Sequence, residues 1–326
     1  MKQLNYIKII KNLFLIRNTE ELIASEYKFN KFRCPVHLSI GQEGISAPIN
    51  LVFSNQDLVV SSHRAHAHYI GKGCSIERLL AEILGLAGCS GGIGGSMHLT
   101  DKSKGFICST AIVGNSIPIG VGLSLSQKFE KSNNITLIFF GEGATEQGVF
   151  YESLNFAALK ELPSLFVCED NKFSVYSSLK DRQPKKRNIV KFVKNMGVEA
   201  IEVNGNYVLD VIKAYKKAKN YILKNKKPFF IKFNTFRYLE HCGPNNDDYL
   251  GYRSKKDILF WKKKCPINLY KSFLIKNKIL KKNNIETIEN EIKKKIKDSY
   301  MKALKYSKPR YSELKKLIFY EKKNKI

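Results

Sequence analysis

The residues of this chain that could do chemistry fall just after stretches that read as β-strands. Ile135 to Phe140 is a continuous apolar run rich in β-formers, suited to a strand buried on both faces, and Gly141-Glu142-Gly143-Ala144 follows it. Leu165 to Cys168 reads as the next buried strand, and Glu169-Asp170-Asn171-Lys172 follows that. Leu58 to Ser61 leads into His63, Arg64 and His66, and Phe229 to Phe233 leads into Arg237 and His241. Ligands of an open parallel sheet collect outside the carboxyl ends of its strands, so four strand tips point polar and glycine residues to one edge. Glu142 and Asn171 stand 29 residues apart, on consecutive strands of one crossover unit. A carboxylate oxygen and an amide oxygen are hard ligands suited to magnesium, which takes few protein ligands and completes its octahedron with phosphate and water. The glycines around Glu142 let backbone N–H groups and a helix N-terminus face an anion. A magnesium ion with a diphosphate fits both facts. A glycine turn with an acid at a helix start is the plainer reading of either residue alone.

The elements that must position these residues alternate. Glu146 to Leu162 reads as a helix, Val198 to Val203 as a strand, and Val208 to Leu223 as a helix. Strand–helix–strand alternation implies parallel strands with right-handed crossovers. Tyr6 to Phe29 has helical apolar spacing and reads as an amphipathic helix. A helix over Ile76 to Gly85 precedes Gly88, Gly91, Gly92, Gly94 and Gly95, a density that predicts a tight surface loop. Ser177 to Asn188 and His241 to Ser254 are polar and read as mobile loops. Beyond Ser254 the pattern is helical only, as far as Pro309.

Composition narrows the function classes. The chain has 326 residues, 43% of them apolar, enough for a substantial core. Formal net charge is +27, from 56 Lys and Arg against 29 Asp and Glu. Most of that is Lys, thickest after residue 255, and it reads as compositional bias with a solvated basic tail; no aromatic-interleaved groove or nucleic-acid motif accompanies it. No run of 18 apolar residues predicts a membrane span, and the N-terminal apolar block Leu13 to Ile16 is too short for a signal-peptide core. Seven scattered cysteines without a C-x-x-C pair read as free thiols in a reducing compartment. The expected location is the cytoplasm.

With these motifs in order, the chain resembles the alpha subunit of the thiamine-dependent decarboxylating component of 2-oxo acid dehydrogenases, the family of pyruvate, branched-chain and acetoin dehydrogenases. The family motif G-D-G-A, about 30 residues, then N-N, stands here as Gly141-Glu142-Gly143-Ala144 and Asp170-Asn171. The stretches HLSIGQEG from His37, SSHRAHAHYIGKG from Ser61, GGIGGSMHL from Gly91, IVGNSIPIGVG from Ile112, TFRYLEHCGP from Thr235 and LGYRS from Leu250 match too. Together they cover roughly residues 10 to 310.

The resemblance implies an α/β fold: a parallel-sheet thiamine diphosphate-binding domain over residues 1–254, with helices on both faces, and a basic helical C-terminal extension over 255–326. It implies thiamine diphosphate and Mg2+, the ion held by Glu142, Asn171 and the backbone carbonyl of Phe173. Gly143 and Ala144 would meet the diphosphate through backbone N–H groups. Arg64 is the diphosphate arginine, and His63 takes the place of a Tyr beside it. Val113 would pack on the aminopyrimidine, and Val175 would help hold the cofactor bent. Arg237 and His241 look like phosphate-side residues. His37 would stand at the substrate entrance, and His37, His66 and His241 are the candidate catalytic groups. In the family a glutamate for the aminopyrimidine comes from a separate beta subunit, so an α2β2 assembly is expected, alone inactive, with a lipoyl acyltransferase as a further partner and a 2-oxo acid or ketone as substrate. Glu142 in place of Asp, Asp170 in place of Asn and Ala111 in place of Gly depart from the family. They leave two alternatives: a thiamine lyase or transferase of a biosynthetic pathway, and a non-catalytic paralogue.

Overall fold

The computed structural model of the chain describes residues 3–32, 34–310, 312 and 315. Six strands form one parallel sheet: β1 (Leu58–Ser61), β2 (Phe106–Ser109), β3 (Thr136–Gly141), β4 (Ser164–Asp170), β7 (Glu199–Asn204) and β8 (Phe229–Asn234), in the order β2-β1-β3-β4-β8-β7. Two further short strands, β5 (Phe173–Ser174) and β6 (Ser177–Ser178), pair antiparallel beside it.

The central strands are apolar at nearly every position because both faces are covered. Side chains of a strand alternate between faces, and the alternation divides the core in two. Leu137 and Phe139 of β3, Leu165 and Val167 of β4, and Phe229, Ile231 and Phe233 of β8 enter one cluster. Ile138 and Phe140, Phe166 and Cys168, and Phe230 enter the other. The second cluster is roofed by helices Ser116–Phe129, Gly148–Leu159 and Ile189–Asn195. The first is roofed by Gln3–Tyr27, Ile76–Ile83, Val208–Asn225 and the C-terminal helices Pro266–Lys276 and Lys282–Ala303. Helices on both faces of a parallel sheet are therefore observed, with a helical C-terminal part that shares a core with the N-terminal helix.

Several expectations need correction. The N-terminal helix is not amphipathic: Ile9, Ile10, Leu13, Phe14 and Ile16 are buried, and so are the polar Asn12, Thr19 and Glu20. The C-terminal helices cover the side that would otherwise face water. The helix expected from Glu146 begins as a 3-10 turn, Glu142–Glu146, and turns α-helical only at Gly148. Strand β2, four residues long, gives too brief a pattern to read in sequence.

The two loops expected to be mobile are fastened. Ser178 and Asp181 form a reciprocal cap on the one-turn helix Leu179–Arg182. Arg187 donates to Thr145 O at 2.6 Å. In the second loop, Arg253 pairs with Asp247 and Asp248 while donating to Arg237 O at 2.7 Å. The part of the C-terminal extension beyond residue 310 lies, apart from 312 and 315, outside the described residues. No helix among the described residues is long and apolar enough to cross a membrane.

Candidate active site

The tips of β3 and β4 lie side by side, with Gly141 in register with Glu169. That register puts the next residues, Glu142 and Asp170, on neighbouring strand ends about 5 Å apart in backbone terms. Glu142 is only 5% exposed. Gly143 is tightly enclosed: a Cβ there would come within 3.0 Å of Ser174 Oγ. Asn171 donates through Nδ2 to Gln42 Oε1 at 3.0 Å, and its Oδ1 accepts the N–H of Phe173 at 3.1 Å. Two residues on, Val175 adopts φ +53°, a left-handed conformation strained for a β-branched side chain. The turn carries the Val175 side chain back over the cavity.

These pieces surround one cavity of about 100 Å³, whose wall includes Glu142, Gly143, Ala144, Asn171, Phe173, Val175, Val113, His63, Arg64 and His241. Ten of the expected site residues thus meet, drawn from the segments that follow five strands of the sheet. The cavity also has Gln42, Ser62, Glu169 and Ser174 on its wall. Gln42 lies inside the stretch beginning at His37, but no spacing argument singles it out, because the chain reaches the site there through loop rather than strand.

Electrostatics separate the two ends of the cavity. At the carboxylate end, burial and then the neighbouring Asp170 push the Glu142 carboxyl up to about 7, and Arg182 works against them. Arg182 Nη2 lies 2.7 Å from Glu142 Oε1, and its other nitrogen pairs with Glu146. Asp170, the acid standing for an amide, is neutralised by Lys172 at 3.2 Å and Lys232 at 3.3 Å. A buried carboxylate, paired here with Arg182, stands beside an amide oxygen and glycine backbone, a donor set that suits a hard divalent ion with a phosphate ligand once the ion replaces the arginine. The residues present fit the implied group.

At the other end His63 and His241 line the wall, and His37 packs against both of them from outside the lining. Ring centroids of His37 and His63 are 4.7 Å apart, His37 and His241 5.2 Å, and His63 and His241 5.4 Å. Burial and then Arg64 hold all three below the usual histidine range: His37 at about 2, His63 at about 4 and His241 at about 3. Arg64 donates to the carbonyls of Leu38 and His241, the latter at 3.1 Å, so its charge is fixed in place by backbone.

Three expected residues, His37, His66 and Arg237, do not line the wall. His66 is fully buried behind it, with Nε2 2.9 Å from Ser96 Oγ and Nδ1 3.6 Å from Glu20. Those surroundings make it a positioning residue, without contact to the cavity. Arg237 is 2% exposed, donating to Leu239 O, to Val175 O at 3.1 Å and to Tyr252 Oη. It braces the Val175 turn instead of lining the cavity. His68 spans Ser61 Oγ and Glu169 Oε1, at 2.8 and 3.1 Å, and stacks on Phe139. Arg182 carries no spacing signal in a polar loop, and only the fold brings it to Glu142.

Known proteins share this arrangement of sequence. Residues 11–312 match the Dehydrogenase E1 component family. The chain is 34% identical over 295 residues to the pyruvate dehydrogenase E1 component subunit alpha of Rickettsia bellii, covering 90% of this chain and 89% of that one. It is 33% identical over 303 residues to the protein of that name from Rickettsia felis, covering 93% and 90%. It is 31% identical over 310 residues to the mitochondrial pyruvate dehydrogenase E1 component subunit alpha of Pisum sativum, covering 94% of this chain and 77% of that one. A family match across almost the whole chain, with the motif residues gathered in one cavity, shows that this protein belongs to the dehydrogenase E1 component family.

Proposed function

We propose that the chain is the alpha-type subunit of a thiamine diphosphate- and magnesium-dependent 2-oxo acid dehydrogenase, decarboxylating pyruvate or a close relative and passing the acyl group to a lipoyl acceptor. The observation that carries this reading is the meeting of Glu142 and Asn171 on one cavity wall, with Gly143 and Ala144 lining the same cavity. Bound thiamine diphosphate would supply the electron sink for loss of carbon dioxide.

The chain's own residues bind and orient. Glu142, Asn171 and the Phe173 carbonyl would hold magnesium, and the backbone of Gly143 and Ala144 with Arg64 would hold the diphosphate. Val113 and Val175, 50% and 43% exposed, present apolar surface where an aromatic ring would lie. His63 and His241, kept neutral, would offer hydrogen bonds without adding charge at the reacting end, and His37, packed against both rings, would support them from the entrance side. His66 and Arg237 act from behind, on Ser96 and on Val175.

A second subunit belongs in the reading because this cavity is small. Small-molecule sites occupy roughly 300–1,000 Å³, and the described walls enclose about 100 Å³. The exposed Ile112 and Val113 at its rim are where a beta-type partner would complete it, in an α2β2 assembly. Seven free cysteines suit a reducing compartment such as the cytoplasm.

The test is reconstitution with a beta-type subunit and assay of pyruvate-dependent reduction of an artificial electron acceptor and of lipoyl protein. Turnover should require both chains, thiamine diphosphate and Mg2+. Turnover by this chain alone contradicts the subunit reading. Reaction with an aldehyde acceptor but not lipoyl protein points to the lyase or transferase alternative. Failure of the assembled complex to bind the cofactor marks a non-catalytic paralogue, which the Arg182–Glu142 pair would then explain.

A further inference from the structure

The glycine-rich stretch after the helix Ile76–Ile83 lines no part of the cavity, yet it is wound around one carboxylate. Glu82, in the last turn of that helix, is fully buried. Its Oε2 accepts the backbone N–H groups of Ser90 and Gly92 at 2.6 and 3.0 Å, and its Oε1 accepts that of Gly94 at 2.7 Å. Among the described residues no cationic side chain forms an ion pair with it, so backbone N–H dipoles compensate its burial. Alternate N–H groups converge on one point only where the backbone leaves its ordinary conformations. Gly92 has φ +82°, and a Cβ on Gly94 would lie 2.1 Å from His98 O. From this ring the chain reaches the cavity by two routes. Ser96 is buried with Oγ 2.9 Å from His66 Nε2, and His66 opens a helix just after Arg64 of the wall. Next to it, Met97 O accepts Ser109 Oγ–H at 2.8 Å, and Leu99 N–H donates to the same Oγ at 2.8 Å. Ser109 ends the strand Phe106–Ser109, and Val113 of the wall lies just beyond it.

We propose that Glu82 is a positioning residue of the cavity, a built-in anion around which residues 88–95 are wound. Through Ser96 on His66, and through Ser109 on the segment that leads to Val113, the wound loop holds two sides of the wall in place. The consequence for cofactor binding rests on the proposed thiamine diphosphate reading; the arrangement itself does not. Charge is what the loop needs from this position, beyond volume. A glutamine there keeps the size but has one acceptor oxygen, and it turns an NH2 donor toward backbone donors. At least one buried N–H then loses its partner, a cost that the loop relieves by opening. An aspartate keeps the charge but ends about 1.5 Å short, one C–C bond, and cannot meet all three N–H groups. The helix that carries Glu82 stays put in either case, because Leu79, Leu80 and Ile83 share a core with Ile292 and Ile296 of the C-terminal helix. The loop is the part that moves.

The experiment compares Glu82→Gln, Glu82→Asp and Ser96→Ala with the parent chain, each assembled with a beta-type subunit. Hydrogen exchange by mass spectrometry, urea unfolding, and calorimetry with thiamine diphosphate and Mg2+ are the readouts. Glu82→Gln should speed exchange over residues 88–98, and also over 62–68 and 110–114, while the cofactor dissociation constant rises about tenfold, as for loss of an outer-shell partner. Glu82→Asp should fall between it and the parent. Ser96→Ala should leave residues 88–95 protected, speed exchange over 62–68 alone and weaken cofactor binding. Faster exchange confined to 88–98 in Glu82→Gln overturns the proposal. So does a lowered urea midpoint with the dissociation constant of the folded complex unchanged, the signature of a structural role alone. Should Glu82→Gln fail to assemble, Ser96→Ala decides, and unchanged exchange over 62–68 overturns the proposal. A parent complex that binds no thiamine diphosphate, with exchange still spreading to 62–68 and 110–114 in Glu82→Gln, sinks the cofactor reading and leaves the positioning role standing.

Discussion

Glu142 is pulled two ways. Burial and Asp170 favour its neutral form, while Arg182 at 2.7 Å favours the anion. A metal ligand must give up its proton, so bound magnesium would have to replace both the proton and the arginine. Glu142→Ala should weaken Mg2+-dependent thiamine diphosphate binding by more than the roughly 10–100-fold that loss of an outer-shell partner costs. Glu142→Asp should retain it; calorimetry on the assembled complex measures both. Stability is expected to depend on pH with two opposing signs. The three histidines lie below their unfolded value of about 6.5, so what they contribute is present above that pH and is lost as pH falls toward about 4. Glu142 lies above its unfolded value, so its contribution is present below about 4.5 and is lost as pH rises through about 7. Urea midpoints between pH 4.5 and 7.5 should therefore show Glu142→Gln gaining on the parent protein toward pH 7.5. A variant that shifts the midpoint equally at both ends removes the titration argument.

At the scale of elements, the site depends on how one loop is held. Leu179–Arg182 is a single helical turn, too short to persist without tertiary contacts. Its capping box shapes it, but Arg182 on Glu142 and Glu146, and Arg187 on Thr145, fix it against the glycine turn. Arg182→Ala together with Arg187→Ala should raise the rate of limited proteolysis between residues 177 and 188 several-fold and lower the unfolding midpoint above pH 7, because the buried Glu142 carboxylate loses its partner. The strand beneath behaves differently. Phe166 is fully buried in the second core cluster, and Phe166→Ala should cost about 3–5 kcal/mol in denaturant unfolding. The loop and the sheet answer to different forces: charge pairing at the tip, close packing below. Strand positions were legible because apolar runs of five or six residues between breakers have few other solutions. The loop was not, since its polar composition says only that it avoids the core, and its partners are 36 to 42 residues away in sequence.

For the whole molecule, the C-terminal helices form part of the main core. Ile285, Ile292, Ile296 and Tyr300 are buried in the same cluster as Ile9, Leu13 and Ile16 of the N-terminal helix. We propose that the helices described over residues 255–310 are an extension of the α/β domain that does not fold apart from it, and truncation after Ser254 should yield an aggregating chain without a cooperative melt. A truncated form that melts cooperatively would make the two parts separate domains. The positive charge follows the same division. Lys293, Lys294, Lys295 and Lys297 sit on the helix Lys282–Ala303, whose apolar positions face inward, so the basic run is the solvated side of a packed helix.

Sequence alone determined five of the six strands of the main sheet and their parallel topology, and the family resemblance named most cavity residues. The strands follow from local facts, apolar runs and glycine breakers, and Glu142, Asn171, His63, Arg64 and His241 from polar residues placed just after strand ends, whereas Val113, Phe173 and Val175 came only from the resemblance. Only the tertiary structure decided which of those residues face the cavity. His66 and Arg237 follow strands as His63 and Arg64 do, yet they turn behind the wall to Ser96 and Val175. It also decided that Arg182 would reach Glu142 and that three histidines from separate segments would converge. A side chain's direction depends on the φ and ψ of its turn and on what packs against it, and neither is encoded at the position of the residue itself.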